Sequence, residues 1–418
     1  MLEPDKQKPV VILGAGIVGL FAAASLAREG YSVVLIDRRG AGEETSYGNL
    51  GGVQNMAAAP IGMPGMYKEV PKWLLDRSGP LSIRSTYFPQ AIPWLLRFVK
   101  ASRLDAYWRN AMALNDLNSD CVDSHLDLAE WAGARHLYRI PGQLYVWTKR
   151  SYFEKSVLSR QVWQRTGHEF QELSAAEIVE IEPAYKGAFQ VGLRIPGNGY
   201  CVDPYQLCQH LLERCRAAGT VFMQAQASEI LADGGRITGV RTDRGVVETG
   251  ALIVSAGVWS KALLEPLGYK VPVESQRGYH VTLKNHNIEQ TNMLLVMDRK
   301  IAITPMSMGL RVGGTVEFAG LHSKPDYERA NRLTGIMREL VPDLSYEDST
   351  EWAGHRPCMP DSVPVIGRTG KYANLLLAFG HGHMGLIGSA PTARILTNLI
   401  KGTTPRLDLN PFSVERFS

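Results

Sequence analysis

Gly14, Gly16 and Gly19 stand in the spacing G-x-G-x-x-G, directly after the apolar run Val10–Leu13 and ahead of a stretch rich in Ala and Leu. That arrangement suits one task, holding a pyrophosphate. The first glycine turns the chain tightly after a strand, the second lets backbone approach the phosphates, and the third lets a helix pack closely on the sheet. Ile17 and Val18 open that helix, whose N-terminal amides and dipole favour negative charge. Asp37, with Arg38 after it, ends the next apolar run at the distance expected for an acid on a ribose 2′-hydroxyl, and it disfavours a 2′-phosphate. Chance matches arise in a chain with 41 glycines, but here strand, turn, helix, strand and acid all fall in order.

Two further constellations carry chemistry. Near the C-terminus an apolar run, Leu375–Phe379, leads into Gly380-His-Gly-His-Met-Gly385 and then a long apolar stretch, Leu386–Ile400. A loop of Gly382, His383, Met384 and Gly385 ahead of a helix gathers N–H groups into a positive pocket. Such a pocket suits the negative charge that a reduced flavin carries around N1 and its C2 carbonyl; the competing reading is an ordinary glycine-rich turn. Arg356, in Trp352-Ala-Gly-His-Arg-Pro, offers a fork of two parallel hydrogen bonds to a carboxylate. A surface arginine in a loop is its alternative. No zinc-ligand spacing and no nucleophile elbow is present, so neither metal nor covalent catalysis is expected.

The elements that position these groups come from separate parts of the chain. Mid-sequence, Asp203–Ala218 reads as a helix and Thr220–Ala227 as a strand. A meander with Gly-Gly and Arg-Gly turns follows, then an apolar strand ending at Ala256-Gly257, where backbone again comes close to a nucleotide. The fold class expected is α/β, a Rossmann-type dinucleotide domain discontinuous in sequence (1–55, 196–268 and 350–418). A second domain (56–195 and 269–349) carries helices on an antiparallel sheet and covers the substrate. A length of 418 residues agrees with two domains. A net charge of +4 is small for this length and excludes a nucleic-acid partner. The five scattered cysteines read as reduced thiols of a cytoplasmic protein. Cys201, Cys208 and Cys215, seven apart, read as small buried residues on one helix rather than as a metal stripe. The first strand begins near Pro9, which leaves no room for a cleaved signal peptide, and no run reaches the length of a membrane span.

These motifs, in this order and end to end, resemble the D-amino acid oxidase superfamily of FAD-dependent oxidoreductases, and most closely its D-amino acid dehydrogenase branch. The matching stretches include Glu44-Thr-Ser-Tyr-Gly-Asn-Leu-Gly-Gly-Val53, Lys72-Trp-Leu-Leu with Gly79-Pro-Leu-Ser-Ile-Arg84, Arg277-Gly-Tyr-His and Arg311-Val-Gly-Gly-Thr-Val-Glu317. Arg-Pro-x-x-Pro-Asp-x-x-Pro-Val-Ile-Gly and the C-terminal glycine loop complete them. The resemblance implies FAD, with Asp37 on the adenosine ribose. It places Thr45, Ser46 and the run Gly48–Gly52, Asn49 and Gly51 included, along the pyrophosphate and flavin. Arg356 would anchor the substrate carboxylate, and Tyr279 would supply a second carboxylate or pocket contact, with Arg277 next in line. The register of a flavin-tethering cysteine in related enzymes falls on Gly354 rather than Cys358, which implies noncovalent FAD. Two departures, His280 after Gly-Tyr and the His-Met pair in the glycine loop, leave the amino acid open. His280 is either a substrate contact or a hydrogen-bonded wall residue.

The reaction implied is oxidation of a D-amino acid by hydride transfer from Cα to flavin N5. The resulting imine would hydrolyse to a 2-oxo acid, with oxygen or a quinone taking the electrons. Hydroxy-D-proline, D-proline, sarcosine or glycine are alternative substrates, and a flavin subunit of an electron-transfer complex is an alternative of another class. Finally, Pro89–Arg103 mixes Trp, Leu, Phe and Val with Arg97, Lys100 and Arg103, and residues 54–66 are apolar and uncharged. Two readings stand: a core of the second domain, or a peripheral contact on the inner face of the cell membrane that reaches a quinone.

Overall fold

Val10, Val11, Ile12 and Leu13 are all buried because their strand lies inside a six-stranded sheet with both faces covered. The order across that sheet is Val221–Gln224, Val33–Asp37, Val10–Leu13, Ala251–Val254, Leu375–Phe379 and Val365–Arg368. The first five strands run parallel and only the last pair is antiparallel. The helix Ile17–Arg28 lies on one face and packs against Pro204–Ala217 and Ser389–Ile400. Asp203 caps Pro204–Ala217 by accepting from the amides of Tyr205 and Gln206, which satisfies two donors that the first turn leaves over. This computed structural model describes residues 8–66 and 81–417. The Lys72-Trp-Leu-Leu and Gly79-Pro matches lie outside the described residues.

A second sheet carries the other half of the molecule. It runs Asp348–Cys358, Glu274–Lys284, Gly309–Phe318, Ile301–Met306, Met293–Val296, Gln143–Trp147, Val191–Ile195 and Gln171–Ser174, with Leu81–Ile83 alongside Gly309–Phe318. It is mainly antiparallel, as expected, with two parallel pairings: Met293–Val296 with Gln143–Trp147, and Leu81–Ile83 with Val316–Phe318.

Two details differ from the expectations, and a third bears on a reading left open. Asp348–Cys358 pairs along its whole length with Glu274–Lys284, so residues 350–358 belong to the second sheet and the boundary placed at 350 moves past Cys358. The strand is poorly buried and shows no apolar alternation, which hid it. Cys201 sits on the strand Gly199–Cys201, whereas Cys208 and Cys215 share a helix; all five cysteines are free and buried. The segment 54–66 turns inward: Met56 and Ala58 are buried, and Gly62 packs on Phe98 and Ser102 of the neighbouring helix.

Candidate active site

The turn after Val10–Leu13 is shaped by sterics. Gly14 adopts φ +105°, a region that side chains rarely enter, and a Cβ there would lie 2.5 Å from the Ser255 carbonyl oxygen. A Cβ on Gly19 would sit 1.9 Å from the Gly14 oxygen, so the helix packs onto the turn only because that residue lacks one. Gly19→Ala is therefore expected to lower the melting temperature and strip nucleotide together, which thermal unfolding and absorbance of the purified variant would show. The Ser46 hydroxyl accepts from the Ile17 amide at 2.8 Å and satisfies one donor of the helix start. Asp37 accepts from the Ala15 amide at 2.7 Å and the Arg39 amide at 2.9 Å. Burial raises its pKa from the ordinary carboxylate value, and these two amides partly counter that.

Around this turn lies a cavity of about 420 Å³. Of the residues marked by the sequence, its wall takes Gly14, Gly16, Ile17, Val18, Asp37, Arg38, Thr45, Ser46, Asn49, Ala256, Gly257, Gly382 and Gly385. Gly19, Gly51, His383 and Met384 stand outside that wall. Gly19 works through packing, and Gly51, at φ +77°, approaches the Cys201 carbonyl oxygen closely. Sequence reasoning missed Trp259, whose ring carries the Arg38 guanidinium 4.0 Å above it, and Glu44, which pairs with Arg38. It also missed His355, which accepts at its backbone oxygen from Thr45 and contacts Ser275 through Nδ1. A continuous wall running from an acid at a strand end to a glycine loop before a helix fits a long dinucleotide carrying a flavin. Asp37→Ala is expected to weaken FAD retention by about 1.5–3 kcal/mol, since a charged acceptor is lost. Fluorescence titration of the apoprotein measures this, and unchanged affinity would remove Asp37 from the ribose.

The long strands Glu274–Lys284 and Asp348–Cys358 present a separate group. Their register sets Gln276 opposite Arg356, Gly278 opposite Gly354, and His280 opposite Trp352. Alternate residues of a strand share a face, so Gly278 and His280 face one way and Arg277 and Tyr279 the other. Arg356 is half-buried, and burial pulls its guanidinium below the usual arginine range. It donates to the Thr315 carbonyl oxygen at 2.9 Å and reaches that of Gly314 at 3.4 Å, and no carboxylate among the described residues forms an ion pair with it. A desolvated cation with donors to spare is a site for an anion.

Tyr279 and Arg277 are placed differently from what the resemblance implies. Tyr279 is buried and donates to Glu317 at 2.5 Å while accepting from the Asp326 amide. Arg277, only 2% exposed, pairs with Glu317 at 3.1 Å and donates to the carbonyls of Gly320, Ser323 and Lys324. Arg84 completes the set on Glu317. This network is internally satisfied, on the face opposite Arg356. His280 does share the Arg356 face, but it is buried, its Nδ1 meets the Gly48 oxygen, and its ring stacks on Trp352 at 5.1 Å. Desolvation first, then the Arg311 charge, holds it neutral. The Trp352 indole fills the space left by two missing side chains, since a Cβ on Gly48 or Gly354 would lie about 2 Å from its ring.

Gly278 has a similar role toward the arginine. A Cβ there would stand 2.2 Å from the Arg356 guanidinium carbon, the far end of a flexible side chain, at ordinary backbone angles. Gly278→Ala should therefore push the guanidinium aside at little cost in stability. Misplacing a substrate-orienting group by an ångström costs on the order of 10²-fold. Steady-state kinetics should show kcat/KM falling by that order with FAD content unchanged; wild-type kinetics would mean the guanidinium orients nothing.

Comparison with known proteins shows the family and the fold. Residues 9–399 match the model of the DAO family, described as FAD dependent oxidoreductase. The chain is 35% identical to a D-amino-acid oxidase of Bradyrhizobium diazoefficiens over 98% of both chains. It is 33% identical to a D-amino acid dehydrogenase of the same organism, over 98% of this chain and 99% of the relative. Among solved structures, L-proline dehydrogenase from P. horikoshii superposes with a TM-score of 0.76 at 17% identity, covering 100% of this chain and 98% of the other. Glycine oxidase from Geobacillus kaustophilus gives 0.74 at 20% identity, with 97% of each chain covered. These two likenesses establish the shared fold.

Proposed function

The chain belongs to the DAO family of FAD-dependent oxidoreductases, and from that premise we propose that it oxidises D-amino acids to imines that hydrolyse to 2-oxo acids. One observation carries the substrate class: Arg356 is a desolvated guanidinium without a carboxylate partner among the described residues, beside the cavity that fits FAD. FAD, when bound, supplies the two-electron acceptor for the hydrogen leaving Cα.

The chain's own residues bind and orient. Arg356 holds the α-carboxylate by its fork, and the Gly314 and Thr315 carbonyls fix the guanidinium that does so. Gly278 leaves that guanidinium its room. The neutral His280–Trp352 stack adds no second cation beside Arg356, which keeps the site selective for a single carboxylate. Asp37 would hold the ribose of FAD and the glycine turn would take its pyrophosphate. Attachment is noncovalent, because Gly354 stands where a tethering cysteine would be and the Trp352 ring fills the space above it. The purified protein should be yellow, and acid precipitation should release FAD into the supernatant; flavin in the pellet would contradict noncovalent binding.

The electron acceptor is oxygen or a quinone, and the protein works in the cytoplasm or peripherally at the inner face of the membrane. No helix among the described residues is long and apolar enough to cross a bilayer. Incubation with matched D- and L-amino acids and an artificial dye tests the activity. The 2-oxo acid should appear with D enantiomers, and formation from L enantiomers alone would overturn the assignment.

A further inference from the structure

The helix Phe88–Ala101 buries Ala91 and Trp94, and Trp94 donates through Nε1 to the Cys358 oxygen, two residues beyond Arg356. Its remaining surface is unusual. Eleven large hydrophobic residues are exposed among the described residues, and five of them fall between Phe88 and Leu104. Phe88, Ile92, Leu96 and Val99 follow one another at helical spacing, and Leu96 is the most exposed of all, at 67%. Arg97 and Lys100 are exposed along one flank of this stripe, with no acidic partner among the described residues, and Arg103 follows at the helix end, shared with Asp105. The charge of the flank decides what the stripe meets. An apolar ridge beside cations suits the headgroup boundary of an anionic bilayer, into which such a helix sinks while lying flat.

We propose that Phe88–Leu104 is a membrane-docking element that inserts Phe88, Ile92, Leu96 and Val99 into the surface of an anionic bilayer, with Arg97, Lys100 and Arg103 on lipid headgroups. The inward-packed segment 54–66 takes no part. Trp94 ties this helix to the strand that bears Arg356, through the Cys358 carbonyl. This deepens the peripheral-contact reading above. It is independent of the amine chemistry, since vesicle binding needs no substrate and flavin reduction needs no vesicle.

The test is flotation of the full-length, FAD-loaded protein with vesicles of phosphatidylcholine alone and of phosphatidylcholine with phosphatidylglycerol, at low and high salt. Binding should favour the anionic vesicles and weaken with salt, because surface charges are screened. The double variant Ile92→Glu/Leu96→Glu should lose about tenfold or more of that binding, and Arg97→Glu/Lys100→Glu should lose the preference for anionic lipid. All four residues are exposed, so folding and FAD content should be retained. Wild-type protein that stays with the soluble fraction, or glutamate variants that bind as wild type does, would overturn the proposal. A wild-type dimer in light scattering that Leu96→Glu converts to monomer would do so too, assigning the stripe to a second copy of the chain.

Discussion

Arg356→Ala is expected to lower kcat/KM for D-amino acids by on the order of 3–5 kcal/mol of transition-state stabilisation, by analogy with breaking a buried ion pair. The substrate carboxylate would enter a desolvated site without its fork donor. FAD content should stay normal, because Arg356 lies outside the wall of the cavity proposed for the nucleotide. Stability should change little, since the variant also removes a desolvated charge that lacks a carboxylate partner among the described residues. Arg356→Lys should recover only part of the loss, because an ammonium cannot make two parallel hydrogen bonds. Amines without a carboxylate should be poor substrates of the wild type and nearly indifferent to the change. Steady-state kinetics with thermal unfolding reads all of this, and near-normal activity of the alanine variant would make Arg356 a structural residue.

Acid should destabilise the fold well before its carboxylates are titrated. His125 is fully buried between the Tyr138 hydroxyl and the carbonyls of Leu386 and Ile387, and His381 is buried against Thr392. Burial pulls both from 6.5 down to about 4, so each stays neutral in the folded protein. The unfolded chain binds these protons near pH 6.5 and the folded chain only near pH 4. Stability is therefore complete above about pH 6.5 and falls as the pH drops toward 4. At pH 5 the loss is about 2 kcal/mol for each histidine, a sizeable share of a typical folding free energy. Melting temperatures between pH 7.5 and 5 should decline accordingly, with a shallower decline in His125→Gln. A flat profile would contradict the burial of these rings.

The parts of the site legible in the sequence are those written in consecutive residues. Strand, glycine turn, helix and Asp37 occupy one continuous stretch, and each glycine has a local steric reason that sequence alone conveys. The glycine loop at 380–385 was legible for the same reason, although only Gly380–Gly382 and Gly385 reach the cavity wall. What depends on register was not. Tyr279 looked like a pocket residue beside Gly278, yet strand alternation puts it with Arg277 and Glu317 on the other face. That alternation was itself readable once Glu274–Lys284 was known to be a strand. Trp352 could not have been found, because its place depends on the glycines at 48 and 354 meeting across two distant segments. Arg356 was legible as a fork donor, but its lack of a carboxylate partner is a property of the folded chain.

Removal of hydrogen from the Cα of a D-amino acid anchored at Arg356 is the step proposed for this chain. Anaerobic mixing of the purified yellow protein with a panel of D-amino acids, their L enantiomers and the corresponding decarboxylated amines tests it most directly. D-amino acids should bleach the flavin, whereas L enantiomers and decarboxylated amines should leave it yellow. Flavin that no D-amino acid reduces, or that amines lacking the carboxylate reduce as readily, would contradict it.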